Sequence, residues 1–233
     1  MIPNHVYQTW KTKELPEEIQ EVRANLQELN PDYTFHLFDD ADMDVWVRNN
    51  MPEIVYRAYS KLAVGAAKAD LWRYCILYRE GGIYLDIDSD IVLPIDSFVG
   101  ADDQAVLSRE KNPGCFLQWC MAFMPEHPIL KRTIEIVVEN IQGKVSSNVA
   151  VLTGPHAFSR GVQEIMGAVY GTGATLYYEA DDALNTILNT STAIRCKFIG
   201  FDFECYARWK SLAAETLYTK ETPHWLEVPD VFM

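Results

Sequence analysis

Gly81-Gly82-Ile83-Tyr84-Leu85-Asp86-Ile87-Asp88-Ser89-Asp90 decides how the chain folds. The glycine pair stops the helical pattern before it, and the apolar residues that follow predict a short strand, Ile83–Asp88. Side chains alternate faces along a strand, so Ile83, Leu85 and Ile87 point one way while Tyr84, Asp86 and Asp88 point the other. Two carboxylates ~7 Å apart along the strand, with no Lys or Arg in the segment, concentrate negative charge at one strand end. Carboxylate oxygens are hard ligands suited to Mg²⁺ or Mn²⁺, and two of them leave coordination positions open for water and a diphosphate. A bare Asp-x-Asp is a weak signal, because Asp and Ser also populate solvated strand ends and turns. Its place at the carboxyl end of a buried strand, where open α/β sheets take their ligands, strengthens it.

Immediately upstream, Ala66-Ala67-Lys68-Ala69-Asp70-Leu71-Trp72-Arg73-Tyr74-Cys75-Ile76-Leu77-Tyr78 is a strong helical pattern. Asp70 and Arg73 are three apart and share a face. On helix grounds alone they read as a surface ion pair of little consequence. Beside an acidic strand end, Arg73 becomes a candidate for phosphate or sugar oxygens and Asp70 an acceptor for sugar hydroxyls.

Working outward, Ile2–Tyr7 is a short apolar segment, Glu17–Leu29 carries Ile19, Val22, Leu26 and Leu29 at helical spacing, and Tyr33–Phe38 alternates as a strand. That β-α-β unit predicts a parallel pair and an α/β domain. Helix is predicted over Ala41–Asn50 and Glu53–Glu80, with a break near Gly65, then over Pro128–Gln142 and Pro155–Val169. Strands are predicted at Gln104–Leu107, Phe116–Phe123, Thr175–Tyr178 and Arg195–Ile199. One mixed central sheet flanked by helices, in a single domain over residues 1–233, accounts for this order.

The chain has 233 residues, 33 Asp+Glu against 20 Lys+Arg, and a formal charge of −13. That balance opposes nucleic-acid or anionic-membrane binding through a basic face, so a local device must supply positive charge to any anionic ligand. The five cysteines contain no C-x-x-C pair, which argues against a disulfide framework or a zinc knuckle. No signal-peptide pattern opens the chain, and no apolar run reaches the ~18 residues that span a bilayer. A soluble, cytoplasmic protein with no stem or anchor is the expectation.

The order Ile2-Pro3, Gln8-Thr9-Trp10-Lys11, Ala69-Asp70-x-x-Arg73-Tyr74-x-x-Leu77 and Gly81-Gly82-Ile83-Tyr84-x-Asp86-x-Asp88 resembles the glycosyltransferases with a DXD sugar-binding motif. This group, family 32-like, contains the yeast initiating α-1,6-mannosyltransferase and the α-1,4-galactosyl- and α-1,4-N-acetylglucosaminyltransferases. The match is good from Met1 to about Ser97 and thinner beyond, where His127-Pro128 and Thr153-Gly154-Pro155 also fit. The resemblance implies a GT-A fold, a nucleotide-sugar donor, a glycan or glycoconjugate acceptor, Mn²⁺ or Mg²⁺, and retention at the transferred anomeric carbon. It also implies roles. Asp88 would ligate the metal directly and Asp86 would lie near ribose, donor sugar and metal. Tyr84 would pack beside the donor, and Asp70 and Arg73 would grip its sugar. Gln8, Thr9 and Trp10 would hold base and ribose. His224, in a His224-Trp225 pair like that near the family's C-terminus, would complete the metal site, although the Ser-Trp that follows in relatives is missing here. Gln118 stands where relatives tend to carry Asn.

Other polar residues read more plainly. Trp46, Trp72, Trp119 and Trp209 fill cores, Asp39-Asp40 and Asp181-Asp182 cap or decorate loops, with Asp181 or Asp182 lining the acceptor side as the alternative, and His5, His36, His127 and His156 show no ligand spacing. With no carboxylate evidently placed as a nucleophile, front-face attack is favoured, the leaving phosphate oxygen taking the acceptor proton. A UDP-sugar is favoured over GDP-mannose as donor. Two rivals stand beside this reading. A haloacid dehalogenase-type phosphatase also sets Asp-x-Asp after an apolar strand but needs a Thr soon after, where Ser89-Asp90-Ile91 follows here. A sugar-nucleotide-binding module without turnover would keep the motif and release no sugar.

Overall fold

A computed structural model describes residues 1–109, 115–170, 186–188, 196–199, 207–209 and 231–232. The β-α-β unit is present: β1 (His5–Thr9), α1 (Glu17–Leu29) and β2 (Thr34–Phe38), with β1 and β2 parallel and His5 opposite Thr34. Then come α2 (Asp40–Asn50), α3 (Glu53–Tyr59), α4 (Gly65–Glu80), β3 (Gly82–Leu85) and β4 (Ser89–Ile91). A 3-10 turn at Ile95–Ser97 leads to β5 (Ala105–Arg109), β6 (Phe116–Phe123), α5 (Pro128–Gly143), α6 (Val149–Leu152) and α7 (Pro155–Tyr170). The described remainder forms β7 (Thr186–Leu188), β8 (Cys196–Ile199) and β9 (Ala207–Trp209).

Seven strands form one mixed sheet in the order β2-β1-β3-β6-β5-β8-β7, and β4 pairs separately with β9. Strand β1 is flanked by β2 and β3, both parallel to it. The chain therefore leaves β1 for one side and later returns to the other, which makes a crevice at the carboxyl ends of β1 and β3. The two faces of the sheet are covered separately. Tyr7, Tyr84, Leu107, Met121 and Phe123 pack with α4, α5 and α7, whereas Val6, Ile83, Leu85, Val106 and Ala122 pack with Leu26 of α1 and with Phe98.

Local chemistry sets the boundaries. Asp39 caps α2 in a reciprocal box with Asp42, as its residue type suggests. Helix α4 ends where the Gly81 N–H donates to the Leu77 carbonyl, and Gly81 and Gly82 take φ of +68° and +101°. A Cβ on Gly82 would lie 2.6 Å from the His5 carbonyl oxygen, so glycine is what lets β3 start hard against β1.

The expected break near Gly65 is present: the helical stretch from Glu53 is interrupted over residues 60–64, and Gly65 is the first residue of α4. One boundary differs from expectation, since the strand expected to run to Asp88 stops at Leu85. The Asp86 N–H still bonds the Trp119 carbonyl at 2.8 Å, but the Ser89 N–H then closes a turn on the Asp86 carbonyl at 3.0 Å. Ile87 drops into a small cluster with Ile19 instead of following Ile83 and Leu85, and Asp88 sits in the turn, not on a strand face. Trp72 and Trp119 are core residues and Trp46 packs against the core. The side chain of Trp209, and Asp181, Asp182, Cys205, His224 and the strand expected at 175–178, lie outside the described residues. Among the described residues Cys75, Cys115, Cys120 and Cys196 are free thiols, and no helix is long and apolar enough to cross a membrane.

Candidate active site

Helix α4 brings Asp70 and Arg73 against the carboxyl end of β3. Both are buried, 3% and 5% exposed, so the pair is no surface ornament. The Arg73 guanidinium lies over the Tyr84 ring at 4.3 Å. Its Nη2 is 3.3 Å from Asp70 Oδ1 and its Nη1 is 3.2 Å from Asp86 Oδ1. Nη1 also donates to the Gln118 carbonyl at 3.1 Å, and Nε to the Ala69 carbonyl at 3.3 Å. One side chain thus ties the Asp-x-x-Arg pattern to the first carboxylate of Asp-x-Asp. Burial pushes the guanidinium down, but Tyr84, Asp86 and Asp70 more than offset it and hold it above the ordinary arginine value.

Asp70 is saturated with donors. Besides Arg73, Gln118 Nε2 donates to its Oδ1 and Thr153 Oγ1 to its Oδ2, the latter at 2.9 Å. Burial still pushes Asp70 up to about 6, against the pull of Arg73, Thr153 and Gln118. Tyr74 closes the network, its hydroxyl having one proton for acceptors that include Gln118 Oε1 and, at 3.0 Å, the Thr153 carbonyl.

Gln118 reaches this place through a bulge. The β5–β6 register jumps from Leu107↔Met121 to Ser108↔Leu117, which sets Gln118, Trp119 and Cys120 in a bulge outside the β5 register. Such irregularities re-aim side chains beside functional sites. Sequence reading marked Gln118 only by analogy and passed over Thr153 and Tyr74 as site members. Their contacts with Asp70 and with each other span 44 to 83 residues of chain, so no local pattern announces them.

At the mouth, Asp86 and Asp88 are half-exposed. The Tyr84 hydroxyl donates to Asp86 Oδ1 at 3.0 Å, so Tyr84 and Arg73 both engage that one oxygen. Two hard carboxylates at a strand end fit a divalent cation that also takes water and phosphate oxygens. Among the described residues no group of three or more His, Cys, Asp or Glu is placed to hold a metal ion.

The end of β1 contributes unevenly. Thr9 bonds the side chain of Tyr84, and Trp10 packs with Ile19 and Ile87, so both border the crevice. Gln8 is 1% exposed and turns to α1, where its Oε1 accepts from Arg23 Nε at 3.0 Å. It stands apart from the Asp70 cluster. His5 and His36 meet across β1 and β2, Nδ1 to Nε2 3.1 Å, a pairing that spacing along the chain did not reveal.

Residues 16–105 match the family model described as glycosyltransferase sugar-binding region containing DXD motif, the family that the sequence resembles. The chain is 31% identical over 133 residues to inositol phosphoceramide mannosyltransferase 3 of Schizosaccharomyces pombe, covering 57% of this chain and 36% of that protein. It is 24% identical over 165 residues to the initiation-specific alpha-1,6-mannosyltransferase of Candida albicans, covering 59% of this chain and 43% of that one. The chain thus spans less than half the length of either. Among solved structures, the PaToxG glycosyltransferase superposes with a TM-score of 0.62 at 21% identity over 73% of this chain and 72% of that one. The mixed sheet flanked by helices is accordingly of the GT-A kind.

Proposed function

We propose, on the premise that residues 16–105 are a DXD-containing glycosyltransferase sugar-binding region, that the chain is a retaining, metal-dependent glycosyltransferase acting on a nucleotide sugar and a sugar hydroxyl. The observation that carries this is the Arg73 guanidinium joining Asp70 to Asp86 at the end of β3. Asp86 and Asp88 would hold a divalent cation, with His224 proposed as a further ligand, and that cation supplies Lewis-acid neutralisation for a departing diphosphate.

This chain's own residues do the rest. Arg73 fixes the Asp86 carboxylate by one oxygen and adds fixed positive charge beside the developing phosphate charge. Tyr84 holds the same oxygen and walls the donor pocket. Thr9 and Trp10 border base and ribose, and Gln8 supports them from beneath. Asp70, buried and saturated with donors, is ill placed as a nucleophile, which favours front-face attack with the acceptor proton passing to the leaving phosphate oxygen.

The sequence by itself favours a UDP-sugar. The mannosyltransferase names of the two fungal relatives shift weight to a mannosyl donor, so GDP-mannose belongs first in a Mn²⁺-supplemented screen with UDP-glucose, UDP-galactose, UDP-N-acetylglucosamine and UDP-xylose. Slow release of free sugar from one donor is expected, falling on the order of 100-fold or more in Asp88→Ala and Asp86→Asn, the scale of losing a charge-stabilising group. Full hydrolysis by those variants would sink the assignment. A chain that binds a donor and releases nothing is a binding module.

A further inference from the structure

We propose that Thr153 is a positioning residue of this site: its hydroxyl, by donating to Asp70 Oδ2, keeps the Asp70 carboxylate set to hold Arg73 against Asp86. The inference deepens the reading above and rests on it for its functional part alone.

Thr153 is wholly buried and lies beyond the stretch matched by the family model. Its hydroxyl has two acceptors in reach, Asp70 Oδ2 at 2.9 Å and the Val149 carbonyl at 3.3 Å. One proton serves one of them, and an ionised carboxylate is the stronger acceptor. Arg73 and Gln118 both engage Oδ1, so Thr153 supplies the donor on the other oxygen. The residue is itself anchored. The Tyr74 hydroxyl lies 3.0 Å from its carbonyl, and at Gly154 a Cβ would lie 2.8 Å from the Ala150 Cα, so glycine lets the chain turn straight from α6 into α7.

Among the described residues, the charged and titratable groups acting on Asp70 are Arg73 and Tyr74 on α4 and Asp86 beyond β3, while neutral Thr153, at the end of α6, and Gln118 of β6 donate to it. Arg73 favours the ionised carboxylate and Asp86 opposes it, so the two neutral donors reinforce the cation. Loss of the Thr153 hydroxyl leaves Oδ2 buried without that donor. The carboxyl then tends to the neutral form, and its grip on Arg73 slackens.

Thr153→Val keeps the shape and removes the hydroxyl, whereas Thr153→Ser keeps the hydroxyl. Thermal unfolding of the full chain, with chelator present, is followed from pH 5 to pH 8. The Val variant should lose more midpoint temperature relative to wild type as pH rises, because the missing donor matters only when Asp70 is ionised. The Ser variant should show no pH-dependent loss. In donor binding, Val should weaken affinity about tenfold, the scale of a hydrogen bond to a charged group, and Ser should restore it. A Val deficit that is flat with pH, or a Ser deficit that grows with pH as the Val deficit does, overturns the proposal. A wild-type chain that binds no nucleotide sugar overturns the functional reading and leaves the Thr153–Asp70 contact to the unfolding series, whereas a wild type that binds donor no better than the Val variant overturns Thr153 as a positioning residue.

Discussion

Arg73 shows how much one side chain changes meaning with its surroundings. Along the helix it is the partner of an i,i+3 pair, worth little if solvated. In the fold it is 5% exposed and stands between two carboxylates and a tyrosine ring. Breaking a buried pair by removing one member costs about 3–5 kcal/mol, because the other charge stays behind unpaired. Arg73→Met should therefore lower the unfolding free energy by about that much, measured by urea titration at neutral pH. A loss below ~1 kcal/mol would return Arg73 to the class of exposed pairs. The residue types and the spacing were legible in the sequence. Burial was not, since it depends on Gln118 and Thr153 arriving from 48 and 83 residues beyond Asp70.

At the scale of elements, the site is made by the way β3 begins and ends. Its start depends on Gly82, where φ is +101° and a Cβ would meet the His5 carbonyl oxygen at 2.6 Å and Tyr7 Cε2 at 3.1 Å. Gly82→Ala forces an L side chain into a backbone region it avoids and pushes β3 from β1. A loss of about 2–3 kcal/mol is expected in chemical denaturation, and near-neutral behaviour would show that β1 and β3 yield at that point. Its end is a turn, not a continuing strand, so Asp86 and Asp88 are not successive same-face residues. Alternation correctly put Tyr84 opposite Ile83 and Leu85, because that rule is local. It missed the turn and the β6 bulge, because both are set by the Trp119 carbonyl and the β5–β6 register across the sheet.

For the whole molecule, two buried groups act on stability in opposite directions. Asp70, pushed up to about 6 by burial, binds protons more tightly folded than unfolded, so stability falls as pH rises from about 4 to about 6. His127 is 2% exposed and accepts from the Ile129 N–H through Nδ1. Its Nε2 has no hydrogen-bond partner among the described residues. Burial pushes it down to about 4, so stability falls as pH drops from its ordinary 6.5 toward about 4. Each effect is on the order of 3 kcal/mol, and over the shared window they largely cancel. In Asp70→Asn only the His127 contribution remains of the two. Its unfolding free energy should drop more steeply than that of wild type between pH 6.5 and pH 4, and parallel curves would refute the opposition.

What the amino-acid sequence determined alone is what short-range rules govern: the β-α-β opening, the stop at Gly81-Gly82, and the helix that carries Asp70 and Arg73 on one face. The motif spacings also sufficed to point to the DXD family, whose model matches residues 16–105, since they list residue types in order without needing their coordinates. Tertiary structure alone decided that Arg73 ties Asp70 to Asp86, that Asp88 sits in a turn, and that Gln118, Tyr74 and Thr153 surround Asp70. The reason is physical. Desolvation and hydrogen-bond satisfaction belong to groups brought together across a sheet and three helices, and nothing in a window of neighbouring residues records which of them will meet.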